Sequence, residues 1–153
     1  MHITLIGASG FIGSALRAEA LRRGVQVTAI VMHPEKLQPA AGLSVRALDV
    51  LDTGALTAAL RGQDAVLSAF SGHAQPDIEA YYLRGIRSII DATRAAGVPR
   101  LLVVGGAGSL QVAPGRLLID TPSSPPRTSP RPTARAGRWS CCARSHLVWT
   151  GRC

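Results

Sequence analysis

The chain has 153 residues, 46% of them hydrophobic, which is enough for one domain with a sizeable core. No apolar run is long enough to span a bilayer, and the first residues lack a signal-peptide pattern, so we expect a cytoplasmic protein without a membrane partner. The formal net charge is +8, yet the last 33 residues hold six arginines and no acid. Residues up to Asp120 include eleven basic and nine acidic side chains, so this part of the chain is nearly balanced in charge. That balance argues against a nucleic-acid partner.

Strand-like and helix-like segments alternate over the first 105 residues. Short apolar runs mark the strands, and apolar residues at helical spacing mark the helices. The predicted strands are Ile3–Ile6, Val25–Val31, Leu43–Leu48, Ala65–Phe70 and Leu101–Val104. The predicted helices are Phe11–Arg23, one from Asp52 or Thr53 to Arg61, and Asp77–Ala96, with a short turn or helix through Pro34–Leu37. This order predicts right-handed parallel crossovers, and so an α/β fold: a Rossmann-type doubly wound parallel sheet, truncated after about the fifth strand.

A glycine-rich loop directly follows the first predicted strand and opens the first helix. Its glycines have GxxGxxG spacing, and each has a physical role in holding a dinucleotide. Gly7 permits the tight turn, Gly10 lets backbone N–H groups approach the diphosphate, and Gly13 lets the helix pack on the sheet. The alternative is that these glycines only punctuate a turn. The predicted cofactor-binding residues here are Gly7, Ala8, Ser9, Gly10, Phe11, Ile12 and Gly13.

The end of the second strand bears on the choice between NAD and NADP. An acidic residue at its tip would hold the ribose hydroxyls of NAD, but the tip carries no acid. His33 and Lys36 could meet a 2′-phosphate, or both are ordinary solvated residues of a turn. The sequence therefore favours NADP, with NAD possible.

Several stretches of this sequence resemble the atypical short-chain dehydrogenases. The narrower resemblance is to the NmrA-like and NADH-flavin reductase group, relatives of the biliverdin/flavin reductases, and it covers about residues 1–122. The residues that carry it are Gly7–Gly13, Val27–Leu37, Asp49-Val50, Ala69–Gly72, Ala95–Arg100 and Val103–Leu110.

The resemblance implies further site residues. Asp49 and Val50 would contact the adenine, and the stretch after the fourth strand would line the cofactor: Ala69, Phe70, Ser71 and Gly72. Ser109 would lie near the nicotinamide as a candidate catalytic residue that orients by a hydrogen bond, although a loop serine is more often structural. The chain departs from the pattern because Met32 and His33 stand where many relatives have an Arg. The Tyr-x-x-x-Lys pair of typical short-chain dehydrogenases is also absent.

Three other residues near this region have a simpler interpretation. Tyr81 and Tyr82 lie on a predicted helix whose apolar face must pack, so core or interface filling is the expected role. His73 follows the fourth strand and could donate a proton, but a solvated loop histidine is the commoner case.

Residues 121–153 change character abruptly. They contain five of the ten prolines, all three cysteines and both tryptophans, with no apolar period. We interpret them as an irregular tail, disordered or out of frame, and residues 1–120 as the NAD(P)-binding domain. With GC-rich codons, Arg138–Ala143 reads in another frame as an amphipathic helix, so we hypothesise a reading-frame shift near Pro122. The cysteine spacing predicts neither a disulfide framework nor a metal site.

The sequence thus predicts an NAD(P)H-dependent oxidoreductase of the flavin-reductase type, with a flavin or similar small molecule as acceptor. Two alternatives remain open. One is a non-catalytic NAD(P)-binding sensor of the NmrA-like kind. The other is a sugar-nucleotide epimerase or dehydratase.

Overall fold

The computed structural model describes residues 1–71, 76–106, 110–118, 121 and 149–150. Internal contacts divide the chain into two compact units, one of residues 1–104 with 148–153 and one of residues 105–147.

The first unit contains a six-stranded sheet. Its strands are β1 (His2–Ile6), β2 (Gln26–Val31), β3 (Leu43–Ala47), β4 (Ala65–Ser68), β5 (Arg100–Val103) and, after the two strands of the second unit, β8 (Trp149–Thr150). The spatial order is β3-β2-β1-β4-β5-β8. The first five strands pair in parallel, so their carboxyl ends meet along one edge. We call this edge the carboxyl edge.

Three helices connect these strands: α1 (Phe11–Arg22), α2 (Thr53–Leu60) and α3 (Ile78–Ala95). A short 3-10 helix covers Pro34–Lys36. Of the two predicted caps of α2, Asp52 is the one used, because its carboxylate accepts a hydrogen bond from the Ala55 N–H at 2.9 Å. Asp77 caps α3 in the same way through Ala80 N.

The central strands are buried on both faces, which explains their nearly continuous apolar sequence. Neighbouring residues of β1 enter different cores: Leu5 packs in the cluster that includes Leu16 of α1, and Ile6 packs in the cluster that includes Leu56 of α2 and Ile89 of α3. The predicted parallel α/β sheet is therefore confirmed, with each strand within two residues of its expected bounds.

Two features differ from the expectations. β4 ends at Ser68 rather than Phe70, and beyond it Phe70 N donates to Ser68 Oγ at 3.3 Å. A sixth strand, β8, pairs antiparallel with β5 through Arg100 and Leu101, although its two residues belong to the segment expected to be irregular.

The second unit contains a hairpin that the sequence analysis did not predict. Its strands are β6 (Gln111–Ala113) and β7 (Arg116–Leu117), paired antiparallel. Pro114 and Gly115 make the turn, with Gly115 at φ +73°, a conformation that glycine adopts without strain. The predicted domain boundary near residue 120 and the reading-frame hypothesis stay predictions.

Candidate cofactor site

The glycine loop lies at the carboxyl edge, between β1 and α1. Gly7 has φ +78°, and its N–H donates to the Ile30 carbonyl of β2 at 3.0 Å, which ties the turn to the neighbouring strand. Gly10 N donates back to the Gly7 carbonyl at 3.1 Å, and Ser14 N donates to Gly10 O at 2.8 Å to begin α1. The strand, turn and helix therefore adopt the arrangement that the GxxGxxG spacing predicts.

Two of the three glycines are required by the protein's own packing. A Cβ on Gly13 would lie 2.0 Å from the Gly7 carbonyl oxygen, so only glycine lets α1 approach the loop this closely. A Cβ on Gly7 would lie 2.8 Å from the Ala69 carbonyl oxygen, in addition to the strain of its positive φ.

Gly10 is different, because nothing in its own surroundings forbids a side chain. Its φ is −75° and ψ 172°, an extended conformation open to any residue. The nearest atom to an added Cβ is Gly7 O at 3.4 Å, an ordinary contact. Packing within the protein therefore does not require a glycine at this position, in contrast to Gly7 and Gly13.

The loop presents its outer side to solvent. Ser9 and Gly10 are exposed, and Phe11 and Ile12 have exposed fractions of 96% and 46%. No side chain caps the first turn of α1, and no acidic residue lies in it. The unpaired N–H groups and the positive end of the helix dipole are thus left for an anion. Ala8 is the exception, since its side chain is fully buried.

The turn after β2 carries three exposed charged or ionisable side chains. His33 Nδ1 lies 3.2 Å from Glu35 Oε1, and both side chains are about two-thirds exposed, at 63% and 66%. Lys36 lies on the same turn, which is closed by a hydrogen bond from Lys36 N to His33 O at 3.2 Å. The sequence analysis assigned no role to Glu35, the acidic residue of this turn. It stands at about the spacing of 20 residues after the glycine motif at which dinucleotide-binding folds place an acidic residue, a signal that could have found it.

Asp49 and Val50 follow β3, and they differ in burial. Asp49 is exposed, and its Oδ1 accepts from Leu51 N at 2.9 Å. Val50 is 6% exposed, with its side chain in the core and its carbonyl accepting from Ser88 Oγ. A contact of either residue with adenine remains a prediction. For Val50 it would have to involve chiefly the backbone, because the side chain is turned inward.

The segment after β4 lies beside the glycine loop. Ala69 N donates to Ile6 O at 2.9 Å, and the Gly7–Ala69 approach described above makes the two segments neighbours. Ala69 and Phe70 are half-buried, and Ser71 is exposed. The structure therefore brings these three predicted cofactor-lining residues to the same edge as the glycine loop.

Phe70 packs against α3 rather than toward solvent. Its ring centroid lies 5.5 Å from that of Tyr81 and 6.0 Å from that of Tyr82, the latter pair stacked. Gly85 makes room for it, since a Cβ there would lie 2.3 Å from Phe70 Cε1. The two tyrosines thus fill the packing role expected of them. Burial raises the pKa of Tyr82, and burial together with the Asp49 carboxylate raises the pKa of Tyr81, so both phenols stay neutral near pH 7.

Three predicted residues lie outside the described residues: Gly72, His73 and Ser109. Among the residues that the structure does describe, no cluster of histidine, cysteine, aspartate or glutamate could hold a metal ion. Within that same part of the chain, no helix has the length and apolar character needed to cross a membrane.

Comparison with known proteins agrees with this geometry. A family model described as NAD(P)H-binding matches residues 7–150. The uncharacterised protein YwnB of Bacillus subtilis (strain 168) is 41% identical over 128 residues, covering 82% of this chain and 57% of that protein.

Two solved structures illustrate the range of activities attached to this fold. A candidate epimerase from Bacteroides thetaiotaomicron is 46% identical with a TM-score of 0.73, covering 81% of this chain and 56% of that one. A candidate NADH-flavin reductase from Streptococcus pneumoniae TIGR4 is 33% identical with a TM-score of 0.68, covering 82% and 57%. The chain thus spans little more than half the length of these relatives.

Proposed function

Since the chain belongs to the NAD(P)H-binding family, we propose that it is a reductase that passes hydride from NADPH to a flavin or a similar small acceptor. The observation that carries the proposal is Gly10. It is a glycine that the protein's own packing does not need, at the point where a dinucleotide diphosphate would approach. The likeness to the candidate NADH-flavin reductase supports the choice of acceptor.

The described residues fit a nicotinamide dinucleotide at the carboxyl edge. The N–H groups at the start of α1 would hold the diphosphate, and Asp49 and the turn at His33 and Lys36 would meet the adenosine half. Ala69, Phe70 and Ser71, next to the glycine loop, would line the nicotinamide half. The cofactor itself supplies the hydride, and the protein's task is to position it and exclude water.

The sequence offers no strong acid for the acceptor. Because it lacks the Tyr-x-x-x-Lys pair, we assign no proton transfer to a tyrosine or lysine. Reduction of a flavin fits this composition, since hydride transfer between stacked rings needs alignment and a dry pocket more than a dedicated acid. Ser109 is proposed to orient the reacting groups by a hydrogen bond. A cytoplasmic location stays a prediction.

A sugar-nucleotide epimerase is the second candidate, favoured by the 46% identity to the candidate epimerase. The missing Tyr-x-x-x-Lys pair counts against it. A non-catalytic sensor would share the cofactor site but oxidise nothing.

The test is a fluorescence titration of the purified full chain with NADPH and NADH, followed by addition of FMN. The informative variant is Gly10→Ala. The fold accepts its Cβ, but the methyl group would stand where the diphosphate approaches. We expect Gly10→Ala to keep its melting temperature and to bind either nucleotide about tenfold or more weakly, the cost of losing roughly one charge-assisted hydrogen bond.

Saturable binding, FMN-dependent oxidation and loss of both in Gly10→Ala would support the reductase. Binding without oxidation would favour the sensor. Equal affinity in the variant and the original chain would contradict the placement of the diphosphate.

A further inference from the structure

Ser88 is a buried polar residue of α3 whose hydroxyl makes its hydrogen bond outside its own helix. It is 7% exposed, and its Oγ donates to the Val50 carbonyl, in the segment that follows β3. A common partner for a helical hydroxyl is the carbonyl one turn earlier, and Thr93 of α3 shows that case, because its Oγ1 donates to Ile89 O at 2.6 Å. Ser88 instead joins α3 to a loop 38 residues away in sequence.

A second hydroxyl supports this contact. Thr53, the first residue of α2, has its Oγ1 2.7 Å from Ser88 Oγ. A carbonyl can only accept, so the one hydroxyl hydrogen of Ser88 goes to Val50, and Thr53 must donate to Ser88. The result is a chain of two hydrogen bonds that runs from α2 through α3 to the Val50 carbonyl. Because each bond in such a chain polarises the next, Thr53 strengthens the bond that Ser88 makes.

The anchored carbonyl belongs to the segment that would meet the adenine half of the cofactor. Asp52 N donates to Asp49 O at 3.0 Å, and Leu51 N donates to Asp49 Oδ1 at 2.9 Å. These bonds shape the turn but do not attach it to another helix or strand, whereas the Ser88 hydroxyl attaches it to α3. The Val50 side chain is buried, so a contact with the base would use the Val50 backbone and the exposed Asp49 carboxylate. The position of both depends on this attachment.

We propose that Ser88 is a positioning residue of the cofactor site, whose hydroxyl holds the Val50 carbonyl and with it the adenine-facing segment at residues 49–51. The inference rests on the cofactor site of the proposed function and deepens it. Without the hydroxyl, the Val50 carbonyl would be buried without a partner, and the segment would move to recover one. The Asp49 carboxylate would then no longer meet the base at a fixed place. Ser88 thus acts through Val50 rather than by touching the cofactor.

The test compares NADPH with reduced nicotinamide hypoxanthine dinucleotide phosphate, in which a carbonyl oxygen replaces the amino group of the adenine. Equilibrium titrations of the full chain give the ratio of the two affinities, which reports the contact with the base alone. A carboxylate accepts from an amino group but not from a carbonyl oxygen, so the original chain should prefer NADPH. We expect Ser88→Ala to bind NADPH about three- to tenfold more weakly and to lose at least half of this preference on a logarithmic scale.

Thr93→Val is the matched control. It also removes a buried hydroxyl from α3, but one whose hydrogen bond stays inside the helix. Its preference between the two nucleotides should equal that of the original chain.

Thr53→Val is a milder variant of the same test. It removes the donor to Ser88 and leaves the bond from Ser88 to Val50 in place, so it should lose a smaller part of the preference than Ser88→Ala does. The melting temperature of each variant shows whether it folds. If Ser88→Ala does not fold, the comparison of Thr53→Val with Thr93→Val decides, and an unchanged preference in Thr53→Val overturns the inference.

An unchanged preference in folded Ser88→Ala, whether both nucleotides bind equally more weakly or neither does, would overturn the inference and leave the proposed function standing. The same loss of preference in Thr93→Val would also overturn it, since any buried hydroxyl of α3 would then have this effect. So would an original chain that binds the two nucleotides equally, because the base would then not be contacted. Failure of the original chain to bind either nucleotide would overturn both proposals.

Discussion

The glycine loop after β1 and the turn after β2 are neighbours at the carboxyl edge, yet they are specified in different ways. The loop is determined by contacts, because a methyl group on Gly13 or Gly7 would overlap backbone atoms. The turn at residues 33–36 is closed by a backbone hydrogen bond from Lys36 N to His33 O, and its charged side chains are exposed. Because substitutions in the loop meet backbone atoms and substitutions in the turn meet solvent, they should differ in kind as well as in size.

The largest effect is expected from Gly13→Ala in the loop. The new Cβ would lie 2.0 Å from the Gly7 carbonyl oxygen and 2.8 Å from the Gly7 carbonyl carbon, both backbone atoms that cannot rotate away. We expect a loss of roughly 3 kcal/mol or more in the free energy of unfolding, measured by urea denaturation.

Gly54→Ala is the control for that substitution. Gly54 lies in α2, and its added Cβ would meet only Asp52 Oδ1 at 3.5 Å. Higher helix propensity should raise stability by about 0.5–1 kcal/mol. Equal stability of Gly13→Ala and the original chain would refute the close approach of α1 to the loop.

A smaller loss is expected from Gly85→Ala, which tests the packing of the segment after β4. The Cβ would meet Phe70 Cε1 at 2.3 Å and Cζ at 2.5 Å, but a ring can shift where backbone cannot. We expect a loss of about 1–2 kcal/mol in the free energy of unfolding. Phe70→Leu in the same chain should recover part of it, because the shorter side chain leaves room for the methyl group. Strictly additive losses in the double variant, measured by the same denaturation, would contradict direct contact between these positions.

The difference between features set by local sequence rules and features set by exposed or distant contacts also explains what could be predicted from the sequence. The alternation of strands and helices, the glycine loop and the cap at Asp52 follow from local rules, and the structure confirms them. The pairing of Glu35 with His33 depends on two exposed rotamers, which the order of residues does not fix. The burial of Val50 likewise depends on Ser88, 38 residues away, whose hydroxyl anchors its carbonyl. β8 pairs with β5 across about 50 residues of chain, a contact beyond the reach of any local pattern.

The smallest effect on stability, and the sharpest on selectivity, is expected from Lys36→Gln in the turn. Lys36 is exposed, so the free energy of unfolding should change by no more than about 0.5 kcal/mol. If its ammonium meets a 2′-phosphate, NADPH should bind about two- to fivefold more weakly while NADH is unaffected. Titrations with both cofactors measure this directly. Equal weakening for the two would mean that Lys36 contacts the diphosphate they share. The turn would then contribute to binding as the loop does, and the distinction between the two regions would fail at this residue.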